Sequence, residues 1–317
     1  MSVDTGWRRI RRGAPAGDQA AHLVTLIVAS GVLLVTVMLV VKLYDASLPS
    51  REKLGWSFLL SRSWDPVVGD FGALPFIYGT VVTSAVAVLL AVPAGVGAAI
   101  FLSELAPPRI SDALSFVVEL LAAVPSVIYG LLAVFVLVPA LRDHVQPLLQ
   151  QRLGWLPLFQ GPIYGVGLLA AGAVLAIMIL PFIVSVTRES LLAVPAEQRE
   201  AALALGATRW EAAWRVVVPF ARLGVVGSIF LALARALGET MAVTMVIGNS
   251  PLVSASLFSP GYSIAAVIAN EFTEATSAMH VSALIELGLV LFALTILIHA
   301  VARLLLAATA RRGTAQP

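Results

Sequence analysis

The stretch Arg235-Ala-Leu-Gly-Glu239-Thr240-Met-Ala242 sets an arginine and a glutamate four residues apart near the middle of an apolar run over about 222–247. A run of that length can cross a bilayer as a helix, and an ionised side chain at the centre of such a helix costs about 2.5–3.5 kcal/mol on insertion scales. Two such groups persist only where a partner, a water-filled path or a ligand compensates them. The i, i+4 spacing predicts one shared helical face, with guanidinium and carboxylate within reach of each other. Two uses fit: a pair that neutralises itself against a neighbouring helix, and the wall of a solute path. Arginine presents a planar fork of donors that grips a tetrahedral oxyanion through two hydrogen bonds and stays charged at any working pH. Glu239 then has two readings. Its carboxylate can accept a hydrogen bond from a protonated phosphate oxygen, which fully ionised sulfate cannot offer, or it can neutralise Arg235 when the path is empty. Thr240 adjoins the pair and is placed on the same path. Ser126 and Tyr129, beside Pro125, are further path candidates because a proline frees a backbone carbonyl and kinks its helix; the plainer reading of such small and polar residues is helix packing.

The elements that must position these residues follow from composition. With 59% hydrophobic and only 12% charged residues and a mean hydropathy of +0.95, the chain is too apolar for a water-soluble domain. The sequence predicts an all-α integral membrane protein with six transmembrane helices, at about 22–44, 77–103, 113–140, 163–187, 222–247 and 281–308. Each approaches the ~20 residues that span ~30 Å of hydrocarbon, and the runs are continuous rather than alternating, unlike the strands of a barrel. Arg8, Arg9, Arg11 and Arg12 fall in a basic tail over 1–21, and Arg109, Arg188, Arg199, Arg209, Arg215, Arg222 and Arg303 fall on the same predicted side. The opposite loops hold few basic residues, so both termini, including the tail 309–317, are expected in the cytoplasm. Glu119 in the third span and Glu286 in the last are expected to serve as hydrogen-bonding groups of the bundle or its interface. Gly95-Val-Gly97 and Gly165-Val-Gly167 read as sites of close helix contact.

Several chemistries are excluded. There is no cysteine, and His22, His144, His280 and His299 show no ligand spacing, so thiolate chemistry is absent and a metal site is not expected. Lys42 and Lys53 are the only lysines and neither lies in a phosphate-cradling G-x-x-x-x-G-K-[ST] loop. No basic patch interleaved with aromatics points to nucleic acid.

The loop 188–221 holds the second informative pattern, Glu200-Ala201-Ala202-Leu-Ala-Leu-Gly206-Ala-Thr208-Arg-Trp210-Glu211-Ala-Ala-Trp214-Arg215-Val-Val-Val-Pro219. Pro195 suits a helix start, and Gly206 can take the left-handed conformation that ends one. Thr208 with Glu211 three residues on makes a capping box, and Pro219 closes the unit before the next span. Trp210, Ala213, Trp214 and Val217 fall at i, i+3, i+4 and i+7, an apolar face that either packs on its own bundle or docks a partner.

This loop is similar to the EAA motif of binding-protein-dependent ABC importer permeases: E-A-A, three residues, G, nine residues, then I-x-L-P, here with Val216-Val217-Val218-Pro219 at the end. The resemblance implies the type I ABC importer permease fold, with Glu200, Ala201, Ala202 and Gly206 coupling to an ATP-binding subunit and Thr208, Glu211 and Pro219 shaping that helix pair. The segments around Arg235–Val243, Val124–Gly130 and Ala99–Glu104 also resemble the phosphate branch of the family. What it implies is a bacterial inner (plasma) membrane subunit that imports inorganic phosphate by alternating access, with no catalytic site and no cofactor of its own. ATP and magnesium would sit on two partner ATP-binding subunits, beside a second permease subunit and an extracytoplasmic phosphate-binding protein, in contact with membrane lipid. Permeases for sulfate or molybdate share the Arg/Gly/Glu pattern. An ion-coupled secondary carrier also buries charges, yet it needs no such cytoplasmic helix pair, and no convincing inverted repeat is present.

Overall fold

The computed structural model describes the backbone of residues 16–313 and the side chains of 20–304. Arg8, Arg9, Arg11 and Arg12 of the expected basic tail lie outside the described residues, as do residues 314–317. Five continuous helices among the described residues are long and apolar enough to cross a membrane: Ala20–Ala46, Leu74–Leu105, Ser126–Leu153, Leu168–Leu192 and Ala278–Leu304. Arg209–Phe220 and Arg222–Leu237 meet the same criterion only when taken together and are bent by 72° at Ala221, so the described residues hold at most six spans.

The centre of the bundle is the contact of the helices Leu74–Ile100 and Leu168–Leu192. Between membrane helices, lipid supplies no hydrophobic drive, so close approach of backbones and dispersion carry the packing. Two glycines permit it. A Cβ at Gly172 would stand 2.4 Å from Val86 Cγ1, and one at Gly95 would stand 2.8 Å from Ile183 Cγ2. One added methyl at either place costs about 1–3 kcal/mol through overpacking.

Prolines shape the rest. In four places a helical turn widens, so that an N–H reaches back five residues: Ala106 to Phe101, Val138 to Ala133, Gln146 to Leu141 and Val218 to Ala213. In each, the donor is the residue immediately before a proline, at positions 107, 139, 147 and 219. A proline ring collides with the carbonyl four residues back, and one wide turn relieves that collision while the preceding N–H stays bonded.

Several expected boundaries change. The span expected at 113–140 is instead two elements, Pro108–Ala122 and Ser126–Leu153, parted at 123–125, where Pro125 takes an extended ψ of 141°. Proline disfavours helical conformation in the residue before it, so the expected kink becomes a full break. The helix expected at 163–187 runs from Leu168 to Leu192. Gly165 and Gly167, read as helix contacts, instead form the turn before it with φ of +83° and +140°. There Gly167 fits under the backbone of the 248–262 segment: a Cβ would meet the Phe258 and Ser259 carbonyls at 2.7 Å.

The two ends of the bundle differ. One carries residues 46–73 and 248–277. There Trp64–Asp65 pairs antiparallel with Asp70–Phe71, and Trp64 Nε1 donates to Glu271 Oε2 at 2.9 Å. Phe58, Phe71, Phe258 and Ile264 are fully buried, so these connections form a packed cap rather than open loops. The other end carries 101–108 and the 188–221 segment.

Candidate functional site

The expected continuous helix 222–247 does not form. Its helix runs Arg222–Leu237 and stops at Gly238, and a single separate turn follows at Met241–Thr244. Glycine is the least helix-favouring residue after proline, and Glu239 supplies the start of the new turn: its Oε1 accepts the N–H of Ala242 at 3.2 Å. Arg235 and Glu239 therefore do not share a helical face and form no ion pair. The ion pairs among the described residues are Arg142–Asp143 and Arg199–Glu104, and His280 Nε2 lies 3.1 Å from Glu271 Oε2. Arg235 lies in the last turn of its helix with an exposed side chain, about 20 Å along the axis from the bend at Ala221. Glu239 and Thr240 are half-buried beside it, and the Thr240 hydroxyl donates to Gly238 O at 3.4 Å.

The other expected path residues are brought to the same place. The helix Ser126–Leu132 packs on Met241–Thr244 through Gly130, where a Cβ would stand 3.2 Å from Ala242 Cα. Tyr129 is within electrostatic reach of Arg235. Its ring is buried and its hydroxyl donates to Leu121 O at 2.6 Å, so it ties the two sides of the 123–125 break together. Ser126 sits half-buried at the start of that helix. The segments that follow the two chain breaks, Ser126–Leu132 and Met241–Thr244, thus pack on one another.

The helix pair after the fourth span is built from contiguous signals. Helix Ala196–Ala204 ends with Gly206 at φ +85°; the N–H of Gly206 reaches Leu203 O at 3.0 Å and that of Ala207 reaches Ala202 O at 3.1 Å, a Schellman closure. Thr208 and Glu211 then close a reciprocal capping box at the start of Arg209–Phe220. The Thr208 N–H first, and its hydroxyl second, hold the Glu211 carboxyl below the ordinary glutamate range. The apolar face of the second helix divides. Ala213 and Val217 are buried against Ala99, Ile100, Leu191 and Val194, whereas Trp210 and Trp214 are about half exposed and stacked with centroids 5.9 Å apart. Packing on the bundle and presenting a free aromatic surface are both realised, by alternate residues of one face. Glu200 and Ala201 are exposed, Ala202 is buried, and Pro219 lies exposed just before the 72° bend.

Arg199 is the site residue that spacing alone does not reveal. Its Nε and NH2 grip both oxygens of Glu104 at 2.9 Å, and it also donates to the carbonyls of Leu191 and Val194. The Glu104 hydrogen bonds raise the guanidinium pKa above its ordinary value. One side chain thereby fastens the helix Ala196–Ala204 to the ends of Leu74–Leu105 and Leu168–Leu192. The signal available in the sequence was a glutamate at the end of an apolar span and an arginine beside the E-A-A triplet, 95 positions apart.

Comparison with known proteins gives one family, described as the binding-protein-dependent transport system inner membrane component, matching residues 91–312. A phosphate transport system permease protein PstC of Mesorhizobium japonicum is 49% identical over 295 residues, 92% of this chain and 88% of that protein. A PstC of Xylella fastidiosa is 46% identical over 301 residues, 93% of each chain. A probable PstC of Methanocaldococcus jannaschii is 37% identical over 259 residues, 80% of this chain and 82% of its own. Among solved structures, an inward-facing MetNI methionine ABC transporter chain is similar with a TM-score of 0.54 at 19% identity, covering 78% of this chain and 99% of that one. That likeness concerns the fold alone.

Proposed function

Because the chain belongs to the family of binding-protein-dependent transport system inner membrane components, we propose that it is the membrane-spanning subunit of an ATP-driven importer and passes inorganic phosphate across a bacterial inner membrane by alternating access. The observation that carries this reading is the exposed, unpaired Arg235 at a helix break, on the helix that directly follows the 196–220 pair. An uncompensated guanidinium in a spanning segment calls for an anion, and its donor fork suits a tetrahedral one. The names of the relatives select phosphate among such anions.

The same reading gives each part a task. Glu200, Ala201 and Gly206, with the Trp210/Trp214 pair, face an ATP-binding subunit on the cytoplasmic side, and both termini lie on that side. ATP and magnesium stay on that subunit, and this chain catalyses no covalent step. Closure of the ATP-binding subunits moves the helix pair. Ala213, Val217 and Arg199 pass the movement to the ends of three spans, and the bend at Ala221 passes it to the helix that carries Arg235. An extracytoplasmic binding protein delivers phosphate to the cap formed by 46–73 and 248–277, and a second permease subunit completes the path around Arg235, Glu239, Thr240, Ser126 and Tyr129.

The test is uptake of labelled phosphate against labelled sulfate in proteoliposomes holding the assembled transporter, with and without ATP and the binding protein. ATP-dependent phosphate uptake is expected, lost in Arg235→Gln while the subunits still co-purify. Normal uptake by Arg235→Gln refutes the site, and uptake of sulfate in preference to phosphate refutes the cargo.

A further inference from the structure

A cleft of about 700 Å³ opens on the flank of the bundle, bounded by Tyr44, by Arg51 of the short helix Leu48–Leu54, and by the helix Ala278–Leu304. It has two unlike ends. Along the helix its wall is apolar, formed by Val290, Leu294 and Leu297. At the end toward residues 46–73 it is lined by Arg51 and Glu286.

Glu286, expected to be a hydrogen-bonding group of the bundle or its interface, is only 7% exposed, and its Oε2 is buried with no donor at hydrogen-bond distance. The buried hydroxyl of Ser50 adjoins that carboxyl and can donate to it. Glu286 lines the cleft, and a largely buried carboxyl short of donors costs about 1–3 kcal/mol, which an entering donor relieves. Arg51 lies over the Tyr44 ring at 3.6 Å and donates to Ser47 Oγ at 3.0 Å and Tyr44 O at 2.6 Å. Guanidinium carries five N–H donors, so it keeps donors to spare. An unfilled acceptor and a cation with spare donors therefore share one end of one groove. Tyr44 and the exposed Trp56 stand at the same end, as aromatic residues do at a membrane–water interface. From Glu286 to Leu297 the helix rises roughly 16 Å, close to half of the ~30 Å hydrocarbon thickness. The groove thus has the depth of one leaflet and a head of both charges.

We propose that this cleft seats one phosphatidylethanolamine molecule from the leaflet on the side of residues 46–73, with its phosphate on Arg51, its ammonium on Glu286 and an acyl chain along Val290 to Leu297. The ethanolamine ammonium donates N–H bonds that a choline headgroup lacks, and a glycerol headgroup brings no cation, so the site selects by headgroup. It is independent of the cargo carried.

The test is native mass spectrometry of the assembled, delipidated transporter after exchange into nanodiscs of phosphatidylethanolamine, phosphatidylcholine or phosphatidylglycerol. One phosphatidylethanolamine per copy of this chain is expected, retained at least tenfold more than the other two. Arg51→Gln should lose that retention, while Glu286→Gln should keep lipid binding and lose the preference for ethanolamine over choline. Equal retention of all three lipids, no retained lipid, or unchanged retention in Arg51→Gln overturns the proposal. So does the protein alternative: Leu294→Cys, the only thiol in this cysteine-free chain, crosslinking efficiently to the second permease subunit.

Discussion

Arg199 and Glu104 should act as one fastening between the 196–220 helix pair and the bundle, and the two halves should be unequal when removed singly. Glu104 is 8% exposed and Arg199 is 23% exposed. Exposed ion pairs contribute about 0–1 kcal/mol, whereas stripping the partner from a buried charge costs about 3–5 kcal/mol. Glu104→Gln leaves a guanidinium that still holds the Leu191 and Val194 carbonyls and still touches water, so the expected cost is about 1–2 kcal/mol. Arg199→Gln leaves a nine-tenths-buried carboxylate with no cation, and the expected cost rises to about 2–3 kcal/mol. The double variant buries no unpaired charge, and its cost should fall below the sum of the two by about 1–2 kcal/mol. Hydrogen exchange of the amides in Ala196–Ala204, read by mass spectrometry on the assembled transporter, measures the local opening. Each 1.4 kcal/mol is a tenfold change, so exchange should accelerate roughly 30- to 150-fold in Arg199→Gln and roughly 5- to 30-fold in Glu104→Gln. Uptake should fall further than ATP hydrolysis, because the helix pair remains present but is loosely tied. Exchange in Arg199→Gln within threefold of the parent, or costs that simply add in the double variant, would refute the fastening.

Gly206→Ala should destabilise the end of Ala196–Ala204 by about 1–2 kcal/mol, the penalty for a Cβ in left-handed backbone, since nothing among the described residues lies within 4 Å of that Cβ. Gly206→Asn should cost less, and equal thermal stability of parent and Gly206→Ala in detergent would contradict this account. Because the Glu211 carboxyl is held below its ordinary range, its stabilisation is complete above about pH 4.3 and is lost as pH falls through the lowered folded value. Acidification toward pH 3 should therefore disturb the Trp210/Trp214 fluorescence in the parent. In Glu211→Gln, which keeps the capping geometry without the titration, this acid component should vanish, and superimposable acid curves would count against it. Tyr129→Phe should cost about 0.5–1.5 kcal/mol for the lost bond to Leu121 O and, because the ring that lines the proposed path is kept and the hydroxyl is engaged by Leu121, leave phosphate uptake near normal. Loss of uptake at unchanged stability would instead place the hydroxyl in the path.

The helix pair was legible in the sequence because every part of it is local. The Schellman closure at Gly206 and the box from Thr208 to Glu211 use residues within a few positions of one another, and both formed from those residues. The breaks at 123–125 and 238–240 were not, although Pro125 and Gly238 stood in plain view. Hydropathy reads length and apolarity, and a broken span scores like a whole one. The i, i+4 rule then paired Arg235 with Glu239 on a helix that the backbone does not continue. Contacts across the chain were beyond reach for a different reason. Glu104 with Arg199, and Gly167 beneath the Phe258 carbonyl, depend on how spans assemble, which one sequence does not encode as a pattern.

The break at Gly238 changes what Arg235 requires. In an unbroken helix, Glu239 would lie alongside it and the two charges would offset each other. In the observed backbone Glu239 is engaged by the Ala242 N–H, and the nearest compensation for Arg235 is its place in the last helical turn. A cation there gains about 0.3–1 kcal/mol from the helix dipole, against about 2.5–3.5 kcal/mol for an ionised side chain at mid-membrane. Roughly 2 kcal/mol remains to be met by water, a partner subunit or an anion. An anion that meets it must also leave, and a deficit of this size holds an ion briefly without trapping it. On the proposed function, the glycine that costs this chain a continuous helix is what keeps its arginine available to a passing oxyanion.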